Sequence, residues 1–213
     1  MAGLANLRPG DIGFGPISGG AGLLVSAGQL LLGEGFRIGH LDIRHVFVVT
    51  EALHDEGPSA EWPTGVINSG RLVEAEPGGA QENPITLERW TSRHAYVRIP
   101  EDYPGQASDA ARIARLMIGT PYSFASYAAL AAWRLGWKTP RLERWIDRRR
   151  DVTGPERALP AEAICSVLAD QAWTLAGKKV MQGVAHQCVT PGALAARLLE
   201  MDGARWFWPG ESS

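Results

Sequence analysis

The chain has few cysteines and no strong excess of charge of either sign. Only two of its 213 residues are Cys, Cys165 and Cys188, so a disulfide-stapled secreted scaffold is excluded and at most one bridge could form. The formal net charge of -2 gives no overall attraction to nucleic acid or to an anionic membrane. We therefore expect no nucleic-acid partner and a reducing compartment.

Long hydrophobic runs are also absent. The longest apolar stretch, residues 22–32, is interrupted by polar residues and is shorter than the roughly 20 residues that span a bilayer. The N-terminus lacks the basic start and apolar run of a secretory signal, and Pro9 and Gly10 break it early. The sequence thus predicts a cytoplasmic protein with no integral membrane segment.

The chain does contain enough apolar residues for a full core. Hydrophobic residues make up 45% of it, and eight are Trp, which is outside the composition of disordered chains. This length predicts a single domain over residues 1–213. Two segments read as insertions: a polar loop at about 53–65, and a basic, Trp-rich helical segment at about 133–158.

The amino-terminal half has the pattern of an antiparallel sheet. Apolar or alternating runs bounded by Gly and Pro predict strands over 11–14, 44–50, 65–68, 72–75 and 94–99. Residues 68–71 predict a hairpin turn, which places Glu74 on the returning strand. His94 is expected at the surface or at a strand end.

Helical patterns dominate the second half. Apolar spacing and stop signals predict helices over 107–118, 123–135, 160–177 and 190–200, with a further helix at 23–31. Thr190 is the expected N-cap of the last helix, and Pro191 its first residue. Together these elements predict an α+β fold in which an antiparallel sheet packs against helices.

Cys165 is the first candidate for chemistry. It is predicted to lie in or near the first turn of its helix, where free backbone N–H groups and the helix dipole stabilise a thiolate. The alternative is that Cys165 is simply a small buried hydrophobic residue. Cys188 is expected to be an inert thiol.

A base for this thiol is available at the start of a strand. His45 opens the buried run 44–50, from which it could project toward a helix N-terminus packed on the sheet. A hydrogen-bonded structural histidine is the alternative role. Glu74, flanked by Val73 and Ala75, needs a partner if it is buried, and orienting His45 would supply one.

Six short strings place these residues in a familiar order. They are LRPGDI at 7–12, RHVFV at 44–48, LVEA at 72–75, GTPYSF at 119–124, ICSVL at 164–168 and VTPG at 189–192. In this order they resemble circularly permuted NlpC-type cysteine peptidases, a papain-like branch that also includes proteins similar to lecithin:retinol acyltransferase. The resemblance extends from about Leu7 to Leu199.

The resemblance implies a role for each candidate residue. Cys165 would be the nucleophile, His45 the general base and then acid, Glu74 the residue that orients His45, and Tyr122 a substrate-binding residue near the site. The loop insertion stretches the separation between His45 and Glu74, so two further carboxylates stay open as the third residue: Glu76, which has the same strand parity, and Glu51.

These residues predict a cysteine hydrolase that cleaves an amide through an acyl-enzyme and needs no cofactor. Peptide or cell-wall peptide amides are the substrates that the resemblance implies, and action on the wall would require release or delivery as part of a larger particle. One alternative is an acyltransferase, or a thioester or lipid-ester hydrolase, acting on an acyl small molecule. A second is a non-catalytic binding or structural module. The sequence does not define the oligomeric state.

A metal site is a weaker hypothesis. His40, Asp42 and His45 lie close in sequence, and His186 and Cys188 offer two more ligands. On an extended strand, however, His40 and Asp42 point one way and His45 the other. We therefore expect no metal.

Overall fold

The computed structural model describes residues 7–16, 37–38, 41–51, 66–86, 89, 93–123, 140, 163–183 and 189–208. Eight strands are found there: β1 Ile12–Gly15, β2 Arg37–Ile38, β3 Leu41–Asp42, β4 His45–Glu51, β5 Val66–Glu76, β6 Gly79–Thr86, β7 Ala95–Arg98 and β8 Arg205–Phe207. The three helices of these residues are α1 Gln106–Leu116, α2 Cys165–Leu175 and α3 Pro191–Leu199. This content confirms the predicted α+β class.

Six of the strands form one sheet in the order β6-β5-β4-β1-β7-β8. Every neighbouring pair is antiparallel. The strands β2 and β3 form a separate two-stranded pair. The prediction of an antiparallel sheet accompanied by helices is therefore confirmed for the described residues.

Both faces of the large sheet are buried at its central strands. Val46, Val48 and Val73 share one apolar cluster with α2 residues such as Trp173. The opposite face carries a second cluster, which consists of Leu7, Phe47, Val49, Leu72, Ile85 and Tyr96. Because side chains alternate along a strand, Glu74 falls on the same face as Leu72.

Two contacts fix α2 against the rest of the fold. The indole Nε1 of the buried Trp173 donates a hydrogen bond to the carbonyl oxygen of Gly10, 3.1 Å away. At the other end, Ser166 Oγ donates to the carbonyl oxygen of Val189 over 2.7 Å. Thr190 then caps α3 by accepting a hydrogen bond from the backbone N–H of Ala193, as predicted.

The hairpin lies elsewhere than the sequence indicated. Residues 68–71 do not form a turn: β5 runs through them as one strand, with a register shift between Val66 and Arg71. The chain reverses instead at Pro77 and Gly78 and returns as β6, which the sequence did not predict. β8 was not predicted either.

Other predictions fall on residues that the structure does not describe. They include the helices over 23–31 and 124–135, the loop insertion at 53–65, and the insertion at 133–158 apart from Pro140. Within the part of the chain that the structure describes, no helix is long and apolar enough to cross a membrane.

Candidate active site

Cys165 is the first residue of α2, in agreement with its predicted place in the first turn. The N-cap, Ile164, is extended and provides no side-chain cap, and the first helical hydrogen bond is that of Leu168 N–H to the Ile164 carbonyl. The N–H groups of residues 165–167 therefore have no acceptor within the helix. Such an N-terminus stabilises negative charge on a thiol or on a nearby oxygen.

The structure brings His45 and Glu74 into direct contact. His45 is the first residue of β4, and Phe47 pairs with Glu74 across β4 and β5, so His45 is the diagonal neighbour of Glu74. The Nε2–H of His45 donates to Oε2 of Glu74 over 2.5 Å, and both side chains are buried. His45 is thereby held in one orientation.

The second nitrogen of the ring is available to the thiol. His45 Nδ1 is buried and makes no hydrogen bond with the described residues, while Cys165 is a close neighbour that acts on the ring. Burial alone would lower the pKa of His45, but the hydrogen bonding and charge of the neighbouring Cys165, and then of Glu74, raise it to about 10. At neutral pH the imidazole is therefore protonated between two acidic partners.

Glu74 itself is held by four hydrogen bonds. Besides His45, Asn83 Nδ2 donates to its Oε1 over 2.7 Å, and Arg89 donates from Nη1 to Oε2 over 2.8 Å and from Nη2 to Oε1 over 2.5 Å. Burial alone would raise the pKa of Glu74, but His45 and Arg89 lower it to about 2. The carboxylate is ionised throughout the physiological pH range.

Tyr122 lies close to Cys165. A parallel bridge joins Tyr122 to Ala163, two residues before Cys165, and Ser123 N–H donates to the Ala163 carbonyl over 3.2 Å. The Tyr122 ring packs against Ile164 and Val167. Burial and then the charge of Cys165 raise the pKa of Tyr122, so its hydroxyl keeps its proton.

His94 is close to the site although the sequence suggested a surface or strand-end residue. It directly precedes β7, as a strand-end residue should, but it is buried. A Cβ placed on Gly15, which pairs with His45, would stand 2.2 Å from the His94 ring. Burial, followed by the charges of Arg89, His45 and Arg93, lowers the pKa of His94 to about 4.

The other carboxylates considered for the third position lie apart from His45. Glu76 accepts a hydrogen bond from Gln81, and Glu51 faces Arg71 and Arg115 on the surface. Of the three carboxylates, Glu74 is therefore the one in contact with His45.

The proposed metal ligands do not assemble in the described residues. Asp42 pairs with Arg44, whereas His40, His186 and Cys188 lie outside the residues that the structure describes. The described part of the chain contains no group of three or more His, Cys, Asp or Glu that could hold a metal ion.

Arg89, Asn83 and the buried position of His94 were missed by sequence reasoning. Arg89 is a single cation outside any periodic pattern, and no local signal ties it to a carboxylate 15 positions earlier. The alternating glycines Gly13 and Gly15 were a usable signal, because glycine in a strand interior often marks a close approach by another group. Phe47 and His94 make those approaches.

No protein-family model matches this chain, and no match is found among curated proteins. The chemistry of the site is therefore inferred from its own residues and geometry.

Proposed function

We propose that the protein is a cysteine hydrolase that cleaves an amide or ester bond through an acyl-enzyme on Cys165. The observation that carries this proposal is the position of the His45 imidazole, which bonds Glu74 through one nitrogen and leaves the other to the Cys165 thiol at a helix N-terminus.

The geometry supports a two-step reaction. The Cys165 thiolate attacks the substrate carbonyl carbon, and the free N–H groups at the start of α2 receive the negative charge that develops on the oxygen. Protonated His45 gives its proton to the departing amine or alcohol, whose bond to the carbonyl carbon breaks. Neutral His45 then takes a proton from water, the resulting hydroxide attacks the thioester, and the carbon–sulfur bond breaks to restore the thiolate.

Two other side chains support these steps. Glu74 keeps the ring oriented and stabilises its positive charge. Tyr122 packs beside the start of α2, near the position that the acyl group would occupy. We assign to it a substrate-binding role.

The proposal includes the finer fold that the sequence suggests. Histidine and carboxylate on neighbouring antiparallel strands, followed later in the chain by a helix that begins with the cysteine, are compatible with a circularly permuted, papain-like NlpC-type domain. By that resemblance, peptide or cell-wall peptide amides are the substrates to examine first.

Alkylation of the two cysteines tests the activated pair. Iodoacetamide is suited to it because the reagent is small and uncharged, whereas Cys165 is only 1% exposed. We expect Cys165 to label faster than Cys188 at pH 6 to 7, and His45→Ala to slow Cys165 alone, as measured by peptide mass spectrometry. Equal rates for Cys165 and Cys188 in both proteins would exclude an activated thiol.

Turnover is tested with p-nitrophenyl acetate and an N-acetyl amino-acid p-nitroanilide. We expect a burst of p-nitrophenol and an acetyl group on the Cys165 peptide, both lost in Cys165→Ser, and a rate about 100-fold lower in His45→Ala. Release of the acyl group to an added amine in preference to water would instead identify an acyltransferase.

A further inference from the structure

The carboxylate that orients His45 is itself oriented by an arginine. The guanidinium of Arg89 binds both oxygens of Glu74, and its carbon atom lies 5.4 Å from the centroid of the Phe47 ring. The backbone carbonyl of Arg89 accepts a hydrogen bond from the Tyr96 hydroxyl over 2.7 Å. Arg89 is thus fixed at both its backbone and its side chain.

The charges of these groups alternate in sign. When the thiol is ionised, Cys165 and Glu74 are negative, and His45 and Arg89 are positive. Buried charges are stable only when each has a partner. Without Arg89 the cluster would carry one uncompensated negative charge, which would oppose the thiolate.

Other titratable and charged groups face this cluster from the surrounding elements. They are Tyr122 beside Cys165, His94 and Tyr96 at β7, and Arg93, whose charge acts on His94. His94 is neutral above about pH 4, and the two tyrosines keep their protons at neutral pH because burial raises the pKa of each. Among these groups Arg89 is the cation that binds Glu74 directly.

We propose that Arg89 is a positioning residue of the active site, which holds the Glu74 carboxylate toward His45 and thereby sets the pH dependence of Cys165 alkylation. This inference rests on the proposed function. It extends the site from three residues to four, and Asn83 supplies a neutral support on the same carboxylate oxygen as Nη2 of Arg89.

Loss of the positive charge of Arg89 should move the pH profile of Cys165 alkylation toward higher pH. Every acidic group of the cluster then keeps its proton to a higher pH, and His45 does so as well. In Arg89→Gln we expect the acid limb and the alkaline limb of this pH profile both to shift to higher pH by about one pH unit. Arg89→Lys keeps the positive charge but loses the bidentate hydrogen bonding to Glu74. The two limbs of its pH profile should therefore stay near those of the wild type, while its rate of Cys165 alkylation falls.

A second arginine provides a matched control. Arg98 is as exposed as Arg89, at 22%, binds both oxygens of a buried carboxylate, that of Asp11, and lies 4.8 Å from the Phe207 ring centroid. Arg98→Gln therefore removes a similar structural contact without touching the Glu74 cluster. We expect its alkylation limbs to coincide with those of the wild type.

A second variant keeps the test decisive if Arg89→Gln does not fold. Arg89→Met also removes the positive charge but keeps a long apolar side chain against the Phe47 ring, so it should shift both limbs in the same direction. If the limbs of the pH profile do not move in the folded variants while wild-type Cys165 labels rapidly, the role of Arg89 is overturned and the proposed function is not. Wild-type Cys165 that labels no faster than Cys188 would overturn the proposed function together with this inference.

Discussion

At the scale of single residues, the site depends on charge pairing out of water. His45 and Glu74 are both buried, and an isolated charge on either would be costly. Each pKa is shifted toward the charged form because a partner lies within hydrogen-bond distance. The same pairing that stabilises these side chains also leaves His45 ready to donate a proton.

Glu74→Gln tests whether the charge of this carboxylate matters for reactivity. A neutral amide cannot stabilise the imidazolium, so we expect Cys165-dependent ester hydrolysis to fall about 100-fold or more. The matched control is Glu76→Gln on the same strand, because Glu76 contacts Gln81 and not His45. A rate for Glu74→Gln within a factor of three of the Glu76→Gln rate would remove Glu74 from the site.

The residues of the candidate site were predictable to different degrees. Cys165 could be placed at a helix start from local pattern, and His45 at a strand start, because both depend on nearby sequence. Arg89 could not, since its role arises from β4 and β5 pairing in space and not from its neighbours along the chain. Contact between His45 and Glu74, 29 positions apart, was suggested by the need of a buried carboxylate for a partner and by the resemblance to a family, and not by a local pattern.

At the scale of elements, β5 and β6 show where tertiary pairing overrides local signals. Residues 68–71 resemble a turn, yet β5 continues through them as an irregular stretch between the pairing of Val66 with Thr86 and that of Arg71 with Pro84. β6 was not predicted because its sequence is polar and contains Pro84. A proline is tolerated there because β6 is an edge strand of the sheet. Local pattern correctly predicted β4, α1 and α3 because their apolar periodicity matches their burial.

The close packing of Gly13 in β1 against the Phe47 ring can be tested by substitution. Gly13 lacks a side chain where the Phe47 ring crosses the strand, and an added Cβ would stand 2.0 Å from that ring. We expect Gly13→Ala to lower the free energy of unfolding by about 1–3 kcal/mol, measured by urea denaturation, because the rigid core cannot yield. Gly78→Ala is the control: nothing lies within 4 Å of its Cβ, so its effect should stay within about 0.5 kcal/mol.

At the scale of the whole molecule, the fold brings together a site that is dispersed along the chain. The central strand β4 carries His45, its neighbour β5 carries Glu74, and α2 brings Cys165 from much later in the chain. The apolar clusters on the two sheet faces and the burial of His45 and Glu74 hold these two side chains out of water, which strengthens their electrostatic interaction. The same burial links the ionisation of the site to the stability of the fold.

This linkage predicts how stability depends on acid. The pKa of Glu74 is about 2 in the folded protein against an ordinary value of 4.5, so its stabilising contribution is complete above about pH 4.5 and is lost as the pH falls toward 2. Glu82, whose pKa Arg115 and Thr50 lower against the effect of burial, adds to the same loss in every variant that retains it.

Comparison of the wild type with Glu74→Gln isolates the buried carboxylate. At pH 7 we expect the free energy of unfolding of the variant to be about 3–5 kcal/mol lower than that of the wild type, because Arg89 and His45 lose their shared partner. This difference in the free energy of unfolding should narrow steadily between pH 4.5 and 2, because Glu74 of the wild type becomes protonated over that range. Urea unfolding followed by circular dichroism measures it. A difference that stays constant over this range would mean that Glu74 does not change its protonation on unfolding, and the buried charge cluster would be refuted.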